Sequence, residues 1–74
     1  MGTLYIDRKD YHVKLDGKTL CFYSNGKKAG MVPLEPLKRV IFVGNVTVDT
    51  SVLRKMADMG ISAIFLTGRR LRFS

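Results

Sequence analysis

Two basic runs beside aromatic or apolar strand residues are the groups in this chain best suited to chemistry with a ligand. The ligand they suit is a polyanion. Arg8-Lys9 sits in a fully charged stretch, Asp7-Arg8-Lys9-Asp10, with Tyr5 before it and Tyr11 just after. Arg69-Arg70, with Arg72 close behind, follows Thr67-Gly68. Arginine next to a ring at a strand–turn junction can grip a phosphate while the ring stacks on a base. The competing reading of the first run is an ordinary solvated turn. For the second it is a surface that packs on a following domain. Arg8, Lys9, Tyr11, Arg69 and Arg70 are therefore the candidate nucleic-acid-binding residues. Thirteen Lys and Arg stand against six Asp and Glu, a net charge of +7. That balance favours a polyanionic partner, a nucleic acid first of all.

Signatures of catalysis are poor. No G-x-x-x-x-G-K-[ST], G-x-S-x-G or H-E-x-x-H stretch occurs. The single histidine, His12, falls on the polar side of an alternating strand and reads as a solvated surface residue. Asp16 is explained by turn chemistry, and Asp49 by capping of a helix. Asp7 and Asp10 flank basic residues and read as solvated partners. Nothing in the spacing brings carboxylates to one point, so no cofactor or metal site is expected within these residues. One cysteine, Cys21, allows no internal disulfide and reads as a small core thiol suited to a reducing compartment. With no leader-like start and no apolar run long enough for a membrane span, a soluble, cytoplasmic protein is expected.

The elements that must position these groups follow from the pattern of apolar residues. Thr3–Ile6 is a first short strand. Tyr11–Leu15 alternates, with Tyr11, Val13 and Leu15 on one face and His12 and Lys14 on the other. Asp16-Gly17 and Asn25-Gly26 are hairpin turns, so residues 11–32 make a three-stranded meander. Lys14, Lys18, Lys27 and Lys28 decorate its exposed face and protect its edge. Pro33 and Pro36 form a corner where the chain leaves that sheet. Val40–Val43 and Ile61–Leu66 are unbroken apolar runs and read as strands buried on both faces. Between them Asp49-Thr50-Ser51 opens a helix whose stripe is Val52, Leu53, Met56, Ala57 and Met59, and Gly60 stops it. Leu71–Ser74 begins another alternating strand. The fold class is mostly β (α+β): a small β-sandwich of short strands with one packed α-helix.

A chain of 74 residues buries little core and usually needs support. Without disulfides or a metal, that support is a second copy or another domain. Val46, Val48 and the outer side of the helix are candidate points of self-association. The chain also stops on a strand pattern at Ser74, which reads as the N-terminal piece of something longer.

The ordered residues resemble the N-terminal domain of the CRISPR-associated spacer integrases. The resemblance runs through Thr3–Ile6, the strand ending in Asp16-Gly17, and the corner Val32-Pro33-Leu34-Glu35-Pro36-Leu37. It continues through Val40-Ile41-Phe42-Val43-Gly44-Asn45-Val46, Thr50-Ser51-Val52-Leu53, Met59-Gly60-Ile61 and Ile64-Phe65-Leu66. It implies a small β-sandwich with one helix that helps build a homodimer and precedes a larger helical domain. In the family that helical domain carries the glutamate, histidine and acidic ligands of a Mg²⁺- or Mn²⁺-dependent DNA endonuclease/integrase. Dimers join a second adaptation protein to insert foreign DNA into the CRISPR array as antiviral defence. The family's N-terminal domain contacts the end of that DNA near the first turn, with an aromatic wedge in some members. Here that turn is Arg8-Lys9-Asp10, followed by Tyr11. The expectation is therefore residues 1–74 as a dimerisation and DNA-positioning domain, with the catalytic domain outside them. The alternative is a free-standing basic nucleic-acid-binding module without catalysis.

Overall fold

The computed structural model describes residues 2–8 and 10–66. Seven strands and one helix follow in the order β1 (Thr3–Ile6), β2 (Tyr11–Asp16), β3 (Thr19–Ser24), β4 (Lys27–Pro33), β5 (Arg39–Val43), β6 (Thr47–Val48), α1 (Thr50–Asp58) and β7 (Ser62–Leu66). They form two sheets. One is three-stranded and parallel, in the order β1-β5-β7. The other is four-stranded, in the order β4-β3-β2-β6: the expected antiparallel meander, with β6 added parallel to β2. The helix packs against β2 and β7. This is the mostly β architecture expected from the sequence.

The two turns of the meander are chosen by their glycines. Asn25 and Gly26 have φ of 53° and 78°, the left-handed pair that suits a tight hairpin between twisted strands. In the first hairpin the loop is Gly17-Lys18, one residue later than expected: Asp16 still pairs with Thr19 as the last rung of β2. Only the first loop residue needs positive φ there, and Gly17 supplies it at 65°. Pro33 closes β4, an edge strand, where a missing donor costs no ladder bond on the open side. Leu34 follows, donates its N–H to the Lys18 carbonyl at 2.8 Å and buries its side chain completely.

The core lies between the sheets and under the helix. Val13, Leu20, Val40, Phe42, Val52 and Met56 are each buried to within 1 % of complete. Full burial of side chains of this size contributes roughly 1.5–3 kcal/mol each before ordering entropy is subtracted. Cys21 is buried too, but by alternation it lies on the opposite face of β3 from Leu20 and Phe22. The helix ends as its sequence requires: Gly60 adopts φ 73°, its N–H bonds the Ala57 carbonyl, and the Ile61 N–H bonds the Met56 carbonyl at 2.8 Å. Ile61 and Met56, both buried, make the apolar contact that goes with this ending.

Three expectations need correction. The Ile61–Leu66 run is not a strand buried on both faces. Ile61 belongs to the helix ending, and every residue of β7 is exposed. Among the described residues β7 has a strand neighbour on the β5 side alone, whereas β5 lies between β1 and β7. An apolar run fixes the chemistry of a strand but not its rank in the sheet. Ala57 is exposed rather than part of the apolar stripe, because α1 presents Val52 and Met56 inward and leaves Ala57 on its rim. Asp49 stands at the N-cap position, yet its side chain makes no capping bond. Leu71–Ser74 lies outside the described residues.

Candidate nucleic-acid interface

Arg8 is exposed just past the end of β1. Its carbonyl accepts the Tyr11 N–H at 3.0 Å, which closes the charged turn and launches β2. The turn thus holds the Arg8 backbone in place and leaves its guanidinium free to solvent. Tyr11 is half-buried and packs against the core, its ring stacked on Phe22 at 5.9 Å between centroids. That ring is committed to packing and is not a free stacking platform. Tyr5 points the other way and is 65 % exposed. Lys9, Arg69 and Arg70 lie outside the described residues.

Two arrangements on the meander were not anticipated. The first ties His12 to Asp49: Nε2 and Oδ1 are 2.5 Å apart, with both side chains half-exposed. A carboxylate only accepts, so Nε2 carries the hydrogen. β6 explains the meeting. It pairs Thr47 with His12 and Val48 with Val13, and Asp49 then donates its own N–H to the Val13 carbonyl at 3.1 Å. His12 is therefore not a lone solvated residue, and its partner is the carboxylate that would otherwise cap the helix. Alternation places His12 outward, but no sequence signal names a partner 37 positions away. The second arrangement sets the Lys14 Nζ 5.2 Å from the centre of the Tyr23 ring. Alternation and the hairpin register together could have found it, since Tyr23 faces His12 one rung from Lys14.

Val46 and Val48, candidates for self-association, pack against the core instead. The uncovered apolar groups lie elsewhere. By register, Tyr5 and Ile64 flank Ile41 on the outer face of the parallel sheet, and Leu66 lies beside Val43. Tyr5, Ile64 and Leu66 are all exposed.

Among the described residues no group of three or more His, Cys, Asp and Glu side chains could hold a metal ion. The donors present, one His–Asp pair, do not fit a divalent metal centre. Cys21 is buried away from any solvent-borne substrate. The described residues offer exposed cations and rings on the two sheets. No helix among them is long and apolar enough to cross a membrane.

A family model described as "CRISPR associated protein Cas1" matches residues 4–72. The chain is 53 % identical over 74 residues to a protein of Thermodesulfovibrio yellowstonii named "CRISPR-associated endonuclease Cas1 1". That match takes in 100 % of this chain but only 23 % of the relative. On the strength of both matches, and of a fold that agrees with the residues carrying the resemblance, the chain belongs to the CRISPR-associated Cas1 family.

Proposed function

We propose that these residues are the N-terminal β-domain of a CRISPR adaptation DNA endonuclease/integrase, and that they dimerise and position DNA without cutting it. The observation that carries this reading is the match itself: an endonuclease relative is covered for 23 % of its length, and this portion has no catalytic constellation among its described residues. The chemistry then belongs to a helical domain outside these residues, where a Mg²⁺ or Mn²⁺ ion would be held. Arg8 and Lys9 at the first turn, and Arg69 and Arg70 further on, are the proposed DNA contacts. Arg8 and Lys9 serve as phosphate grips, and Tyr11 shapes the turn from within the core. The bare outer face of the parallel sheet supports self-association, since parallel sheets are normally covered on both faces. A second adaptation protein is the further partner, and the cytoplasm the proposed location.

Incubation of the purified 74-residue chain with duplex DNA and Mn²⁺ tests the division of labour. Binding without cleavage above a metal-free control is expected. Chelator-sensitive cleavage by pure chain would overturn the reading. The alternative, a free-standing basic binding module, is favoured by the net charge of +7 alone. It predicts a monomer that binds DNA, whereas the preferred reading predicts self-association that survives high salt.

A further inference from the structure

The meander carries a second basic and aromatic surface, separate from the first turn. By register, His12, Tyr23 and Lys28 stand side by side on its outward face, and Lys14, Cys21 and Met31 form the next row. Lys14 leans across the rows to place its Nζ over the Tyr23 ring. One half-buried ring is thus flanked by two exposed lysines. Strands about 4.8 Å apart put β2 and β4 about 10 Å from each other, so the two ammonium groups share one face, which a register shift at Phe22/Tyr23 bends. Lys18 and Lys27, also exposed, stand at the two hairpin ends.

The charge balance of this surface is one-sided. Between Asp10 and Pro33 four lysines stand against two acids, Asp10 just before β2 and Asp16 at its far end, two rungs from Tyr23. Among the described residues the one ion pair is His12–Asp49, so no carboxylate engages these lysines. Asp49 is occupied by His12. An ammonium resting on a ring is partly ordered before any ligand arrives and loses less freedom on binding. Unpaired cations spread over one sheet face suit the regularly spaced charges of a duplex backbone.

We infer that the outward face of the meander, centred on Lys14, Tyr23 and Lys28, is a contact surface for the phosphate backbone of duplex DNA. This rests on the DNA-positioning reading and adds to it a surface distinct from Arg8 and Lys9. The contact is independent of sequence: lysines act on phosphates as point charges and read no base edge.

The test uses the native full-length chain and a duplex of about 30 base pairs, with affinity followed by anisotropy from about 50 to about 200 mM NaCl. Each lost phosphate contact lowers the slope of log K against log salt by about 0.9. The Lys14→Gln/Lys28→Gln variant should therefore show a slope shallower by about 1.8, so that its deficit in affinity shrinks about twelvefold from the low-salt to the high-salt end. Lys14→Arg/Lys28→Arg should keep the native slope. As a readout that needs no variant, DNA should protect Lys14 and Lys28 of the native chain from amine acetylation. An unchanged slope together with unprotected lysines would overturn the inference and point to a protein partner for this face. Native chain that binds no duplex even at the lowest salt would overturn the DNA-positioning reading as well.

Discussion

Breaking the tie between His12 and Asp49 tests how the helix is fastened to the meander. The pair joins residues 37 positions apart and fixes the start of α1 against β2. The two side chains are 39 % and 41 % exposed, so water screens part of the attraction. Shielded hydrogen bonds to charged groups contribute about 1.5–3 kcal/mol, and exposed ion pairs about 0.2–1 kcal/mol. A short bond at this exposure should couple by about 1 kcal/mol, the upper end of the exposed range. His12→Ala should then cost about 1 kcal/mol. Asp49→Ala should cost slightly more, because its charge also favours the helix N-terminus by about 0.3–1 kcal/mol. The double variant should cost no more than Asp49→Ala alone. Urea unfolding of the 74-residue chain reads these differences. With a slope near 1 kcal/mol per molar for a domain this small, each single variant moves the midpoint by about 1 M. If Asp49 instead capped the helix through its side chain, Asp49→Ala would cost the same with or without His12, and Asp49→Ser would restore stability. Coupling below about 0.2 kcal/mol, with rescue by serine, would refute the tie.

Other substitutions probe the remaining supports. Phe42 is 1 % exposed and stacks on Phe65 at 5.0 Å, so Phe42→Ala should cost about 3–5 kcal/mol and leave a chain this small largely unfolded by circular dichroism. Gly60→Ala meets nothing within 4 Å, so its cost is the left-handed backbone alone: about 1–2 kcal/mol, seen as a lower melting temperature. Cys21 should resist an aromatic disulfide reagent in the native chain and react at once in denaturant, since its side chain is only 1 % exposed.

Local rules carried most of the architecture. Asn25-Gly26, Gly60 and the alternation of β2 each depend on neighbouring residues alone, and each falls where its sequence places it. The unbroken apolar run of β5 is central as expected. The same rule misjudged β7, whose residues are all exposed, because an apolar run does not say how far other elements cover the strand. Sites were harder to see. Tyr11 beside Arg8 looks like a stacking ring until the register of β2 turns it inward onto Phe22. His12 and Asp49 meet through the two-residue strand β6, too short to leave a periodic signal. Capping chemistry at Asp49 yielded to a tertiary partner that competes for the same oxygen.

The central claim is that these residues position DNA for a catalytic domain beyond them. Its most direct measurement is the source gene read past the codon for Ser74, together with the intact mass of the native polypeptide. The account predicts an open frame that continues into a helical segment bearing a glutamate, a histidine and a further carboxylate. A stop codon after Ser74, with a native mass matching 74 residues, would contradict it and leave the basic binding module in its place.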